Sequence, residues 1–354
     1  MKKVLIGICG IGNGHINRQM CVIKALIENN FQVLIAVEKN KIGILKNTFP
    51  NEKIIELTIP WIVCDVEGLN FKETLNKYNN IDLFKKYLEL GVEIEKELNG
   101  KPDLVISDYE PNVAQYAYAT NTPLVTMEQQ SKFLYLDEIK IDSQSINEEK
   151  YRLNYFFPKY TKKIISSFFP IKIEKCDVVQ VPPIIASINK LESTEEFILV
   201  YLSPYYDSHE YNKILEIIGK LKDKKFKVYS KNFEEYKNVY SFNNVKYYSF
   251  DLKFKDDLAK CYCLLTTAGH QLISEAIFLN IPIYAIPLET YEQHYNALMV
   301  EKYKLGTNKV VTKENVEDFI QKRDKYIANI IKYKKKYYRE SWKELFIKEI
   351  NEII

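Results

Sequence analysis

The chain lacks a long apolar run. No window approaches the roughly 18 uninterrupted apolar residues that a membrane-spanning helix needs. Histidine is scarce, with four in 354 residues, and they are dispersed. His209 and His294 have no partner at ligand spacing, so no zinc site is expected. The six cysteines, at positions 9, 21, 64, 176, 261 and 263, form neither a disulfide framework nor a paired metal motif. They read as reduced core thiols of a cytosolic protein. An excess of one charge is missing too: the net charge is +3, and no basic tract is both long and interleaved with aromatics. That argues against a nucleic-acid partner. Walker and Gly-x-Ser-x-Gly sequences, short-period repeats and low-complexity segments are absent as well.

What is present is an alternation of short apolar runs with helical patterns, the signature of an α/β protein. Lys3–Cys9, Phe31–Val37, Ile54–Ile59, Leu104–Ser107 and Leu124–Met127 read as buried parallel strands. Met1-Lys2-Lys3 starts like a signal peptide, but the apolar run breaks at Gly10–Gly14 without a cleavage site, so it is read as the first strand. Ile16, Met20, Ile23 and Ile27 form one helical stripe. Leu75, Leu83, Tyr87, Leu90, Ile94 and Leu98 predict a single longer helix. A second series follows at Phe197–Leu202, Phe226–Tyr229, Val245–Tyr248, Cys263–Thr266 and Ile283–Ile286. Two such series predict two Rossmann-like, doubly wound domains. The expected division is 1–182, a linker over 183–194 that opens on Pro183, and 195–330. Residues 331–354 are expected to form a C-terminal helix that returns to the first domain.

Two segments carry chemistry. The first is Gly10-Ile11-Gly12-Asn13-Gly14-His15, between the first strand and its helix. Alternate glycines permit a tight turn and close approach of a ligand. A dinucleotide fingerprint is one reading, since Glu38 ends the second strand, but its last glycine would fall at His15. The second is Thr266-Thr267-Ala268-Gly269-His270-Gln271-Leu272 with Glu275, followed by Pro282, Pro287, Glu292-Gln293 and Asn296-Ala297. A turn at Gly269 lets the next helix aim backbone N–H groups at a diphosphate. Glu275 is placed to accept from ribose hydroxyls, and Glu292 and Gln293 to grip sugar hydroxyls. Phosphate, ribose and hexose holders in one unit describe a nucleotide-sugar site.

This second segment resembles the donor-binding signature of GT-B glycosyltransferases of the UDP-glycosyltransferase type. Gly269, Glu275, Ala276, Pro282, Pro287, Gln293, Asn296 and Ala297 match. Glu292 stands where the family has Asp, Thr267 where many members have a phosphate-binding His, and His270 follows the glycine instead of preceding it. The glycine loop ending in His15 resembles the Gly-x-Gly-Gly-His motif of the lipid-linked peptidoglycan N-acetylglucosaminyltransferase. The resemblance implies an enzyme with two domains facing a cleft, inverting and metal-independent, with no resident cofactor. It implies His15 as general base, at a helix N-terminus where the macrodipole favours a neutral ring, and Asp108 as its orienter. Gly12, Asn13, Gly14 and Glu110 fall on the acceptor side. Asp108 and Glu110 have a simpler alternative as caps of the next helix.

Weaker signals point the same way. Ser203 ends a strand where the family has a glycine-serine loop near the donor phosphates. Phe250 falls near its base-stacking position. The aromatic and lysine-rich stretch from Tyr155 to Pro170 reads as an amphipathic helix, packed on the first domain or lying on a membrane and presenting a lipid-linked acceptor. The expected partners are a nucleotide sugar and a hydroxyl acceptor, in the cytoplasm or at the inner membrane face, in cell-surface glycan synthesis. Two other readings are a nucleotide-sugar 2-epimerase of the same architecture and a nucleotide- or NAD-binding module without transfer chemistry.

Overall fold

A computed structural model describes residues 1–10, 14–57, 64–65, 68–136, 143–186, 196–203, 208–250, 253–287 and 290–354. The chain divides into two compact units, Met1–Ala186 with Glu340–Ile354, and Ser187–Arg339.

The first unit opens with β1 (Lys3–Ile8), α1 (Gly14–Glu28), β2 (Gln32–Val37), α2 (Lys39–Thr48) and β3 (Lys53–Glu56). A short antiparallel ribbon, β4 (Cys64–Asp65) and β5 (Gly68–Leu69), leads to α3 (Phe71–Tyr78) and α4 (Leu83–Leu98). Then come β6 (Leu104–Asp108), α5 (Pro111–Thr120), β7 (Leu124–Glu128), a 3-10 turn over Gln130–Leu134, α6 (Ser143–Phe156), β8 (Lys162–Ser166) and β9 (Val178–Val181). The sheet is parallel, in the order β3-β2-β1-β6-β7-β8-β9. Its direction of winding reverses between β1 and β6, where Ile8 lies beside Asp108. In doubly wound sheets, ligands bind at the carboxyl ends of the strands flanking such a reversal. Gly7 makes the packing there possible, because a Cβ on it would lie 2.4 Å from Val113 of α5.

The second unit holds β10 (Phe197–Tyr201), α7 (Ser208–Lys220), β11 (Lys225–Tyr229), α8 (Phe233–Val239), β12 (Val245–Tyr248) and α9 (Lys253–Lys260). It continues through β13 (Cys263–Thr267), α10 (His270–Leu279), β14 (Ile283–Ile286), α11 (Tyr291–Lys302), β15 (Gly306–Thr307), α12 (Lys313–Gln321) and α13 (Arg323–Tyr337). This sheet is also parallel, ordered β12-β11-β10-β13-β14-β15, and reverses between β10 and β13. The last helix, α14 (Trp342–Ile353), belongs to the first unit, where Phe346 and Ile350 are fully buried in the core formed by β1, β2 and α1.

Three sequence expectations need correction. The long helix around Leu75–Leu98 is two helices: Asp82 caps a new start by accepting the Lys85 N–H at 2.9 Å, and Leu75 is 70% exposed, outside the buried stripe. The C-terminal stretch likewise breaks after α13 and restarts at Ser341, which caps α14. The segment 155–170 is not an amphipathic helix beyond Phe156. It supplies β8, and Phe156, Phe157, Phe168 and Phe169 are buried along with Lys163. Among the described residues no helix is long and apolar enough to cross a membrane.

Candidate active site

His15 is the second residue of α1, and Asp108 is the last residue of the neighbouring strand β6. The carboxyl-end loops of adjacent strands therefore bring them together: His15 Nδ1 lies 2.9 Å from Asp108 Oδ1. Arg18, one turn further along α1, places its Nη2 2.7 Å from Asp108 Oδ1 and 2.9 Å from Oδ2. All three side chains are buried or nearly so, and Asp108 is completely so. Burial alone would push the Asp108 carboxyl up. The Arg18 guanidinium and the His15 ring beside it outweigh that and hold it below the usual carboxylate range. On the other side of the ring, the Gln130 amide nitrogen lies 3.2 Å from His15 Nε2. Tyr109 stacks alongside with ring centroids 6.3 Å apart. It holds this place at φ +53°, in the left-handed region that is costly for a non-glycine residue, with its hydroxyl donating to Glu149 at 2.6 Å.

The second cluster sits at the reversal of the other sheet. β13 delivers Thr266 and the buried Thr267, and the chain passes through Ala268 and Gly269 into α10. Gly269 has φ −69° and ψ 132°, which any residue can adopt, so the turn does not require glycine. A Cβ there would come no closer than 4.0 Å to a neighbouring atom. The missing side chain leaves the positive end of α10 open. Asn296 of α11 braces the turn by donating from Nδ2 to the Ala268 carbonyl at 2.9 Å. Ser203 follows the adjacent strand β10, and its carbonyl accepts from the Tyr211 hydroxyl at 3.1 Å. Glu275 is buried within α10, where its Oε1 accepts from Lys255 Nζ at 2.6 Å and Gln271 Nε2 at 3.3 Å. Among the described residues no three His, Cys, Asp or Glu side chains gather as a metal site would require.

Both clusters lie in the span that matches a known family. Residues 2–323 fit the family model described as glycosyl transferase family 1. The chain belongs to that family. It is a glycosyltransferase of the GT-B fold. It is similar to the solved structure of CalG4, the calicheamicin glycosyltransferase, at 14% identity over 99% of this chain and 98% of that one, with a TM-score of 0.70. It resembles LpCGTa, solved in complex with UDP, at 12% identity over 99% of both chains and a TM-score of 0.72. Arabidopsis thaliana UGT89C1, solved with UDP-L-rhamnose, is similar at 13% identity over 99% and 98% of the two chains, with a TM-score of 0.70. At these identities the likeness concerns the fold. No sequence among the curated proteins is similar enough to match.

The remaining candidates of this glycosyltransferase are placed as follows. Gly12 and Asn13 lie outside the described residues, and Gly14 begins α1. Glu110 does not join His15. It is fully buried and caps α5, accepting from the backbone N–H of Asn112 and Val113 at 3.1 and 2.9 Å. His270 and Leu272 are buried in the first turn of α10. Glu292 and Gln293 open α11 half-buried, with the Gln293 N–H on the Thr290 hydroxyl at 3.4 Å. Phe250 is 39% exposed and packs on Tyr201 with ring centroids 5.1 Å apart.

Sequence reading missed Arg18, Gln130, Tyr109 and Lys255. Arg18 had a signal: it lies three residues after His15, on the same helix face. Gln130 belongs to a polar run after β7, at the same carboxyl edge as Asp108. Lys255 had none, since it meets Glu275 across 20 residues of chain.

Proposed function

We propose that this glycosyltransferase moves a sugar from a UDP-sugar to the hydroxyl of an acceptor, with inversion and without a metal. The observation that carries the reading is the His15–Asp108 hydrogen bond at the sheet reversal of the first unit. A carboxylate on Nδ1 orients the ring and stabilises the imidazolium that forms when Nε2 takes a proton. In the proposed step the acceptor O–H gives its proton to His15 Nε2, and the acceptor oxygen forms a bond to the anomeric carbon. The bond from that carbon to the diphosphate oxygen breaks, and UDP leaves. Attack opposite the leaving group inverts the centre.

Several features support the donor side. α10 begins after an open glycine, so the positive end of its backbone dipoles is free to stabilise the charge that develops on a leaving diphosphate. Glu275 would take the ribose hydroxyls, with Lys255 already holding one carboxylate oxygen. Phe250 offers a partly exposed ring for the base, and Glu292 and Gln293 would hold the sugar. Uridine is favoured because similarly folded LpCGTa and UGT89C1 were solved with UDP and UDP-L-rhamnose.

A thermal-shift screen over UDP, TDP, GDP and NAD tests the donor assignment. UDP at a hundred times its Kd should stabilise the protein by roughly 2.7 kcal/mol, with NAD giving no shift. Stabilisation by NAD alone would overturn the reading. Incubating a UDP-sugar with and without acceptor separates transfer from epimerisation, since transfer needs both.

A further inference from the structure

The Gln130 side chain faces His15 Nε2. A backbone N–H can only donate, so the Gln130 atom facing the Gln129 N–H at 3.3 Å is the carbonyl oxygen Oε1. The NH2 group then faces the other way, 3.2 Å from His15 Nε2. That NH2 group donates and cannot accept, so Nε2 must be the acceptor and carries no proton. The ring proton is left on Nδ1, facing Asp108 Oδ1 at 2.9 Å.

The arrangement on the Nδ1 side does not settle this by itself. Arg18 Nη2 lies 2.9 Å from Nδ1 as well as 2.7 Å from Asp108 Oδ1. An Arg18 N–H could donate to Nδ1, moving the ring proton to Nε2 and leaving no lone pair there for a substrate proton. Gln130, 8% exposed and oriented by its neighbour's backbone, blocks that alternative.

We propose that Gln130 is a positioning residue that sets the His15 tautomer, and that its NH2 group occupies the seat an acceptor hydroxyl takes. This rests on the reading of His15 as base. Nε2 has one lone pair, in the ring plane, so the amide and the hydroxyl compete for it. Acceptor binding therefore displaces the Gln130 NH2, while Arg18 keeps the Asp108 carboxylate in place on the far side.

Side-chain nitrogen NMR on the full chain with labelled histidine tests this. Of the four histidines, His15 is identified by the signals lost in His15→Gln. The expected wild-type pattern is a protonated Nδ1 and a bare Nε2. Gln130→Glu, which sets an acceptor opposite Nε2, should move a proton onto that nitrogen. Gln130→Leu, which offers neither donor nor acceptor, should give a mixture of tautomers. In a transfer assay Gln130→Glu should lower kcat by about a hundredfold with the KM for the UDP-sugar unchanged. A wild-type ring protonated on Nε2, or identical His15 signals in all three proteins, would overturn the proposal. The ring signals are read without turnover, so failure of the sugar-transfer reading would leave that result standing.

Discussion

Two carboxylates two residues apart, Asp108 and Glu110, are both fully buried and behave oppositely. Asp108 has a guanidinium against it and is held ionised. Burial pushes the Glu110 carboxyl up to about 7, against the pull of the Val113 N–H and the Asn112 side chain and N–H. Its ordinary value near 4.5 applies when unfolded, so the folded state binds the proton more tightly. The associated stability is complete below about pH 4.5 and is lost as pH rises through about 7. A shift of that size corresponds to roughly 3 kcal/mol. Glu110→Gln should remove this contribution to the slope between pH 4.5 and 7.5 in chemical denaturation; an unchanged slope would contradict it. Arg18 is the complementary case. Arg18→Met strands the Asp108 charge and should cost about 3–5 kcal/mol in urea unfolding. Its Nε has no hydrogen-bond partner among the described residues, so the clamp on Asp108 is the contact that matters. At this scale Asp108 was legible because it ends an apolar strand, and His15 because it closes the glycine loop that follows one. Gln130 gains meaning only once three strand ends are side by side.

Elements were legible where burial was complete. β1, β2, β6 and β10 are sequestered on both faces, so they appear as continuous apolar runs. β8 was not, because it begins Lys162-Lys163. Lys163 is nonetheless buried, donating to Ser131 Oγ at 2.9 Å and Thr126 Oγ1 at 3.2 Å. β15 is two residues long and carries no pattern. At the start of α10 the glycine was legible, but the reason for it was not: the backbone there is ordinary, and the open space matters. Gly269→Ala should therefore change stability by less than about 0.5 kcal/mol. The same methyl group at the helix mouth should weaken UDP binding about tenfold, roughly 1.4 kcal/mol by calorimetry. Marked destabilisation with unchanged UDP affinity would show that the glycine serves the fold instead.

For the whole molecule, the two β/α series in the sequence correspond to two parallel sheets, each with its own reversal and its own polar cluster. The assignment of roles between them is the central claim: the first unit handles the proton and the second holds UDP. His15→Ala tests it most directly, with transfer and UDP affinity measured on the same preparation. General-base removal should lower the transfer rate by roughly 10²–10⁴-fold, with UDP affinity equal to that of the wild type. Transfer at the wild-type rate, or a loss of UDP affinity that accounts for the whole defect, would contradict the account.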